Sequence, residues 1–94
     1  IHAFVHVDLQ QGHLDSVAER FAEIPEVIEL HTVTGPGDLL CQVVARDPAE
    51  LERVIQTLIA TPGVVRTSSQ IALSQRIPRR TLPLVRALRP KPRR

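Results

Sequence analysis

The stretch LDSVAERFAEIPEV at residues 14–27 is matched in pattern by LERVIQTLIATPGV at residues 51–64, and this repeat decides the fold. In both stretches apolar residues recur at positions i, i+3, i+4, i+7 and i+8, which places them along one side of an α-helix. A proline, Pro25 or Pro62, then ends the helix, and a β-branched run follows. The sequence therefore predicts two copies of a strand-helix-strand unit.

Four stretches have the alternation or β-branched composition of strands. They are residues 1–8, 26–34, 38–46 and 64–73. The third is nearly all apolar, which is typical of a central strand covered on both faces. The first helix is predicted over residues 13–24. The second begins at Asp47-Pro48-Ala49-Glu50, where an Asp cap, a proline and a first-turn Glu together signal a helix start.

The order βαββαβ with right-handed crossovers predicts an α+β fold of the ferredoxin-like type. The four strands are expected in the spatial order 4-1-3-2, with both helices on one face. The other face is expected to carry Phe4 and alternating apolar residues of the second to fourth strands. A second sheet would have to cover it, so we expect a homodimer that packs sheet against sheet as a dimeric α/β barrel, with Phe4 in the interface.

Length and composition exclude several classes of protein. Ninety-four residues form one domain with a thin core. The chain has two Phe and no Trp or Tyr, which disfavours a sheet that stacks RNA bases. The single Cys41 excludes an intramolecular disulfide and fits a reducing, cytoplasmic location. No membrane partner is expected, because no apolar run reaches the length of a span and no leader precedes the first strand.

Charge is distributed unevenly along the chain. Residues 1–75 contain four arginines and all ten acidic residues, a net charge of −6, whereas residues 76–94 contain eight basic residues and no acidic one. We therefore divide the chain into a folded domain, residues 1–77, and a basic Pro/Arg-rich tail, residues 78–94. The tail is expected to be mostly irregular. It could bind a polyanion, but docking against the acidic body of this or a neighbouring chain, or disorder, is favoured. Four apolar tail residues could dock on a partner: Leu82, Leu84, Val85 and Leu88.

The sequence predicts no catalytic residues, metal site or cofactor. His2 and His6 share a strand face, but four residues of strand separate them by roughly 13 Å, too far to bind one ion. No nucleophile has an adjacent base, and Cys41 is expected to be a buried, inert residue. We therefore expect a protein that is not an enzyme.

Two features could instead contact a small ligand. The turn Gly35-Pro36-Gly37-Asp38 can expose backbone amides, and Asp38 can accept from an ammonium group, although a capped hairpin turn explains the same residues. The segment Thr67-Ser68-Ser69 places hydroxyls on alternating faces of the fourth strand, where they could bind a carboxylate.

The segments AFVHV, IPEVIELHTVTGPGDLL, VVARDPAELERVI and TPGVVRTSSQIALS resemble the effector-binding and oligomerisation domain of the Lrp/AsnC transcription regulators. The resemblance runs from about Ala3 to Leu84 and includes the ending Arg80-Thr81-Leu82-Pro83-Leu84. Its most specific parts are the pattern V-T-G-x-x-D-L at residues 33–39 and the helix start A-R-D at residues 45–47.

The resemblance implies a pocket for a free amino acid or similar metabolite where dimers meet in a tetramer or octamer. It maps the ligand contacts onto Gly35, Gly37, Asp38, Thr67 and Ser69. Many members have an aromatic residue where this chain has Gly37, which leaves open a larger, a differently selective or an empty pocket. The helix-turn-helix that members use to read DNA is absent here, so DNA is expected as a partner only through such a domain. A small dimeric-barrel enzyme of the cofactor-independent oxygenase or isomerase type, and a ligand-free oligomerisation module, remain as alternatives.

Overall fold

A computed structural model of the chain describes residues 1–35 and 37–90, so Pro36 of the predicted turn and residues 91–94 of the tail lie outside the described part. Each of the six predicted elements is present, with bounds within two residues of those expected. Their order is β1 (His2–Leu9), α1 (Leu14–Ala22), β2 (Val27–Thr32), β3 (Leu39–Val44), α2 (Pro48–Ile59) and β4 (Val64–Ala72), followed by a short helix α3 (Leu82–Ala87).

The four strands form one antiparallel sheet in the order β2-β3-β1-β4, which confirms the predicted ferredoxin-like α+β pattern. The helix face of the sheet is apolar because alternate residues of the two central strands point towards it: Ala3, Val5 and Val7 of β1 are fully buried. Residues of α1 and α2 complete the core: Val17, Phe21, Leu51, Val54 and Leu58. One side of the sheet is therefore packed against α1 and α2.

The start of α2 is fixed by the capping residues that the sequence predicted. The Asp47 side chain accepts a hydrogen bond of 2.8 Å from the Glu50 backbone N–H. Glu50 is itself buried, and its carboxylate accepts from Arg46 Nε at 2.7 Å. The charge-assisted hydrogen bond from Arg46 lowers the pKa of Glu50 below its ordinary value, although burial opposes the shift. This corner holds α2 against the end of β3.

The face of the sheet away from α1 and α2, here called the open face, is more polar than predicted. Side chains paired across neighbouring strands share a face, so the residues paired with His2, Phe4 and His6 identify it. Apolar members of the open face include Phe4, Leu40 and Val44, but β2 contributes Glu29 and His31, and β4 contributes Arg66, Ser68 and Gln70. The expectation of alternating apolar residues is wrong for β2 and β4. Leu30 of β2 and Ile71 of β4 pair with the buried Cys41 and Ala3 on the helix face, and β4 alternates polar residues on both faces.

The tail contains one short helix that the sequence analysis did not predict. Residues 82–87 form α3, with Pro83 in its first turn, where the missing amide donor costs no helical hydrogen bond. Four apolar side chains of this region are more than half exposed: Leu82, Leu84, Val85 and Leu88. The helix therefore has no buried face within the described chain.

Candidate ligand-binding site at the β2–β3 turn

The turn between β2 and β3 is fastened to the end of β1 by Asp38. The Asp38 backbone N–H donates to the Val7 carbonyl at 2.8 Å, and its carboxylate accepts from the Leu9 N–H at 2.7 Å. The Asp38 carbonyl accepts from the Val33 N–H at 3.2 Å, which closes the turn. Asp38 thus continues the β1–β3 ladder by one step and fixes the turn beside the sheet.

Next to this turn lies a hollow on the open face, which we call the turn hollow. It has a volume of about 410 Å³, within the usual range for small-molecule sites. It is lined by His6, Asp8, Gly37, Arg66, Ser68 and Gln70.

Gly37 keeps the turn hollow open. It has φ +81°, in the left-handed region that favours glycine. A Cβ at this position would lie 3.5 Å from both Asp8 Oδ1 and His6 Cβ. Any side chain at this position, including a single methyl group, would therefore occupy space that a ligand could use.

Two opposite charges meet in the turn hollow. Arg66 Nε and Nη2 each lie 3.0 Å from Asp8 Oδ2, on residues that are direct partners in the β1–β4 register. Arg66 is 78% exposed and Asp8 is 31% exposed, so both groups remain accessible to a ligand. Ser68 and Gln70 add neutral donors and acceptors. The hollow can therefore offer hydrogen bonds to an anionic and a cationic group placed side by side.

The structure separates the predicted site residues into four places. Gly37 lines the turn hollow, and Gly35 is exposed, with φ +92°. Asp38 lines a second hollow of about 210 Å³, formed with residues 9–12, Leu14 and Thr32. Thr67 and Ser69 pair with the fully buried Val7 and Val5, so they lie on the helix face and not in the turn hollow. One chain alone does not bring the five residues together.

Sequence reasoning missed four of the residues that line the turn hollow: His6, Asp8, Arg66 and Gln70. The alternation along β4 shows that Ser68 and Gln70 share a face, but the sequence does not reveal which face is open. The Asp8–Arg66 contact joins residues 58 positions apart and has no local signature. The β1–β4 register determines both the face on which Ser68 and Gln70 lie and the pairing of Asp8 with Arg66.

Within the described ranges, no group of three or more His, Cys, Asp or Glu side chains is arranged to hold a metal ion. Cys41 lies in the core, and burial raises the pKa of its thiol to about 11. The thiol therefore remains protonated near neutral pH. No helix among the described residues is long and apolar enough to span a membrane.

The antiparallel sheet, its two packed helices and the charged hollow beside a glycine turn define a ferredoxin-like α+β domain with a candidate small-molecule site. Residues 2–82 match the family described as the Lrp/AsnC ligand binding domain. The chain belongs to this family, which confirms the resemblance noted in the sequence.

Named relatives agree with this assignment. An uncharacterised HTH-type transcriptional regulator of Pyrococcus abyssi is 36% identical over 73 residues, which cover 77% of this chain and 46% of that protein. A homocitrate synthase of Sulfurisphaera tokodaii is 32% identical over 76 residues, 80% of this chain but 16% of the enzyme. The chain thus spans about half the length of the regulator, and only a small part of the enzyme.

Solved structures show the same fold. A protein of Thermus thermophilus is 36% identical with a TM-score of 0.76, and the match covers 84% of this chain and 99% of that one. A transcriptional regulator of Neisseria meningitidis, solved as a complex with L-Met, is 28% identical with a TM-score of 0.75. Its match covers 93% of this chain and 58% of the regulator.

Proposed function

We propose that this domain binds a free amino acid, or a closely related zwitterionic metabolite, in the turn hollow, and that binding changes how copies of the domain assemble. The observation that carries the proposal is the Arg66–Asp8 pair at 3.0 Å beside Gly37. Adjacent opposite charges complement a molecule that carries a carboxylate and an ammonium group on one carbon. The Neisseria regulator, solved with L-Met, supports an amino acid as the ligand.

Each lining residue has a defined role in this proposal. Arg66 and the Ser68 hydroxyl donate to the ligand carboxylate, and Asp8 accepts from the ligand ammonium group. Gly37 lets the ligand approach the backbone of the turn. His6 and Gln70 lie where they would contact the ligand side chain and so influence selectivity.

The remaining predicted site residues fit a site shared between copies. Asp38 positions the turn through its hydrogen bond with Leu9. Thr67 and Ser69 lie on the helix face of β4, so in this proposal they contact a ligand held by the turn of another copy. This arrangement corresponds to a pocket that is completed where dimers meet.

Assembly is the proposed output of binding. We infer a homodimer in which the part of the open face around Phe4 packs against its counterpart and leaves the turn hollow uncovered at its margin, where dimers associate further. A ligand shifts assembly only if it binds one assembly state more tightly than another, and coupling of this kind is typically about 5- to 150-fold. In a longer regulator, such a shift would reposition an attached helix-turn-helix on DNA.

Sedimentation velocity of the chain with each of the twenty amino acids tests binding and assembly together. The expected result is an assembly larger than a dimer whose size shifts with one or a few amino acids. Arg66→Gln should abolish that shift, whereas Arg20→Gln, at an exposed arginine on α1, should leave it intact. A shift that survives Arg66→Gln would contradict the role given to the ion pair.

The alternatives predict different outcomes. An enzyme of the dimeric-barrel type needs an enclosed cavity inside one dimer, and a hydrophobic substrate that binds there without altering assembly. The polar and charged lining of the turn hollow disfavours that use. A ligand-free oligomerisation module would assemble identically in the presence of all twenty amino acids. The relatives that are named as transcriptional regulators favour a regulatory domain over both alternatives.

A further inference from the structure

An apolar groove lies between α2 and the end of β4, away from the turn hollow. It has a volume of about 520 Å³. It is lined by Ile1, Pro48, Leu51, Glu52, Ile55, Ile71, Ala72 and Leu73. Ile71 is 54% exposed and Leu73 is 94% exposed, so a large part of its apolar lining is in contact with solvent in the single chain.

The same chain carries a matching apolar surface on its arm, which we define as residues 78–90. Leu84 and Val85 of α3 lie on the same side as Leu88 at its C-cap, because they precede it by four and three positions. Their exposures are 60%, 57% and 73%. An apolar helix side of this kind is stabilised when it is buried against another apolar surface.

The arm does not fold back onto its own groove: its base brings Arg79 within electrostatic reach of Glu29 on β2, at the opposite edge of the sheet from β4. The radius of gyration is 17.1 Å, against about 12 Å for a compact domain of this length. Pro78 restricts the backbone at the base of the arm, and repulsion among Arg76, Arg79 and Arg80 favours an extended connection. Both apolar surfaces therefore remain uncovered in the single chain, although the arm starts five residues beyond the groove.

Because the arm does not lie in its own groove, charge complementarity indicates the body of a second copy of the chain as the partner. Residues 1–75 have a net charge of −6, and residues 76–94 carry eight positive charges. Glu52 lies at the groove, and Arg86 and Arg89 lie on or beside α3. An arm is thus attracted to the body of another chain and repelled by another arm.

We propose that the arm of one chain docks through α3 in the α2–β4 groove of a second chain, and that the exchange is reciprocal. This interface is separate from the turn hollow and from Phe4. Through this interface the otherwise exposed arm becomes part of the oligomer.

Cross-linking between different chains tests the exchange. One chain carries Leu73→Cys in the groove and a size tag, the other carries Ala87→Cys on α3, and a short bismaleimide joins thiols that lie close together. The natural Cys41 is fully buried and should not react. A mixed-chain product is expected as the main product. A matched control replaces Ala87→Cys with Ala22→Cys, an exposed alanine on α1, and should give little product.

Two further readouts distinguish the possible outcomes. A double Leu73→Cys/Ala87→Cys chain that yields only a cross-linked monomer would show that the arm docks in its own groove and would overturn the exchange. Absence of the mixed-chain product would overturn it as well. Leu84→Ser combined with Leu88→Ser should remove the product and weaken self-association at least about tenfold by sedimentation equilibrium, while Ala87→Ser should have little effect. Amino-acid binding is measured separately, so failure of the exchange leaves the proposed ligand site untouched.

Discussion

Substituting Gly37 with alanine separates the contribution of the turn to stability from its contribution to the ligand site. Gly37 has φ +81°, and an L-residue in the left-handed region costs about 1–2 kcal/mol. The added Cβ meets Asp8 Oδ1 and His6 Cβ at 3.5 Å, which is ordinary van der Waals contact and adds no clash. Backbone strain therefore accounts for the expected loss of stability. For a domain of this length, each 1 kcal/mol corresponds to a fall in Tm of about 4–8 °C.

Gly35 provides a matched control within the same turn. Its φ is +92°, and nothing lies within 4 Å of an added Cβ, so Gly35→Ala introduces similar strain without occupying the turn hollow. Both variants should lose similar stability in thermal unfolding followed by circular dichroism. Only Gly37→Ala should weaken amino-acid binding, because its methyl group lies beside the carboxylate proposed to accept from the ligand ammonium group.

Isothermal titration with the amino acid identified in the sedimentation panel measures this difference. We expect Gly37→Ala to weaken binding by about tenfold or more and Gly35→Ala to change it by less than about twofold. Equal affinities for the two variants would refute the placement of the ligand against Gly37. If the Tm of both variants falls much less than a strain of about 1–2 kcal/mol predicts, the assignment of backbone strain to the turn is refuted.

Three further outcomes follow from particular contacts. Asp38→Ala should lower stability by about 1 kcal/mol because it removes the acceptor for the Leu9 N–H, and Asp38→Asn should retain most of it; urea unfolding compares the two. The Arg46 contact lowers the pKa of Glu50, so this group stabilises the fold above its unfolded pKa, and the stabilisation is lost as pH falls through the lower folded value. Glu50→Gln should therefore flatten the dependence of Tm on pH below about pH 5. Phe4→Asp should break a dimer that packs through the open face, and a variant that remains dimeric by light scattering would contradict that interface.

The sequence was sufficient for the fold because its signals are local and repeated. The apolar stripes of α1 and α2, the Asp47 cap and the alternation in β1 each specify an element from neighbouring residues alone. Once the helices and strands are known, right-handed crossovers and short connections allow few topologies, so the order of the strands in the sheet could be predicted as well. The polarity of the open face did not follow, because periodicity indicates that residues alternate but not which set faces the helices.

The candidate site was only partly accessible from the sequence. The glycine turn was found because its residue types demand an unusual backbone, and φ values of +92° and +81° at Gly35 and Gly37 agree with that demand. Thr67 and Ser69 were grouped with the turn, whereas the β1–β4 register places them on the helix face and Ser68 in the turn hollow. A shift of one residue along a strand exchanges the two faces, so chemistry assigned from strand residues alone is ambiguous.

By itself, therefore, the sequence determined the elements, their order, the core-facing stripes and the turn that requires glycine, because each depends on short-range periodicity or on the intrinsic conformational freedom of a residue. The tertiary structure decided which charges meet. Asp8 and Arg66 lie 58 positions apart and form an ion pair only because β1 and β4 are neighbours in one register. The tertiary structure also leaves the apolar side of α3 and the α2–β4 groove exposed to solvent. Their composition alone does not show this, because burial depends on which other parts of the chain pack against them.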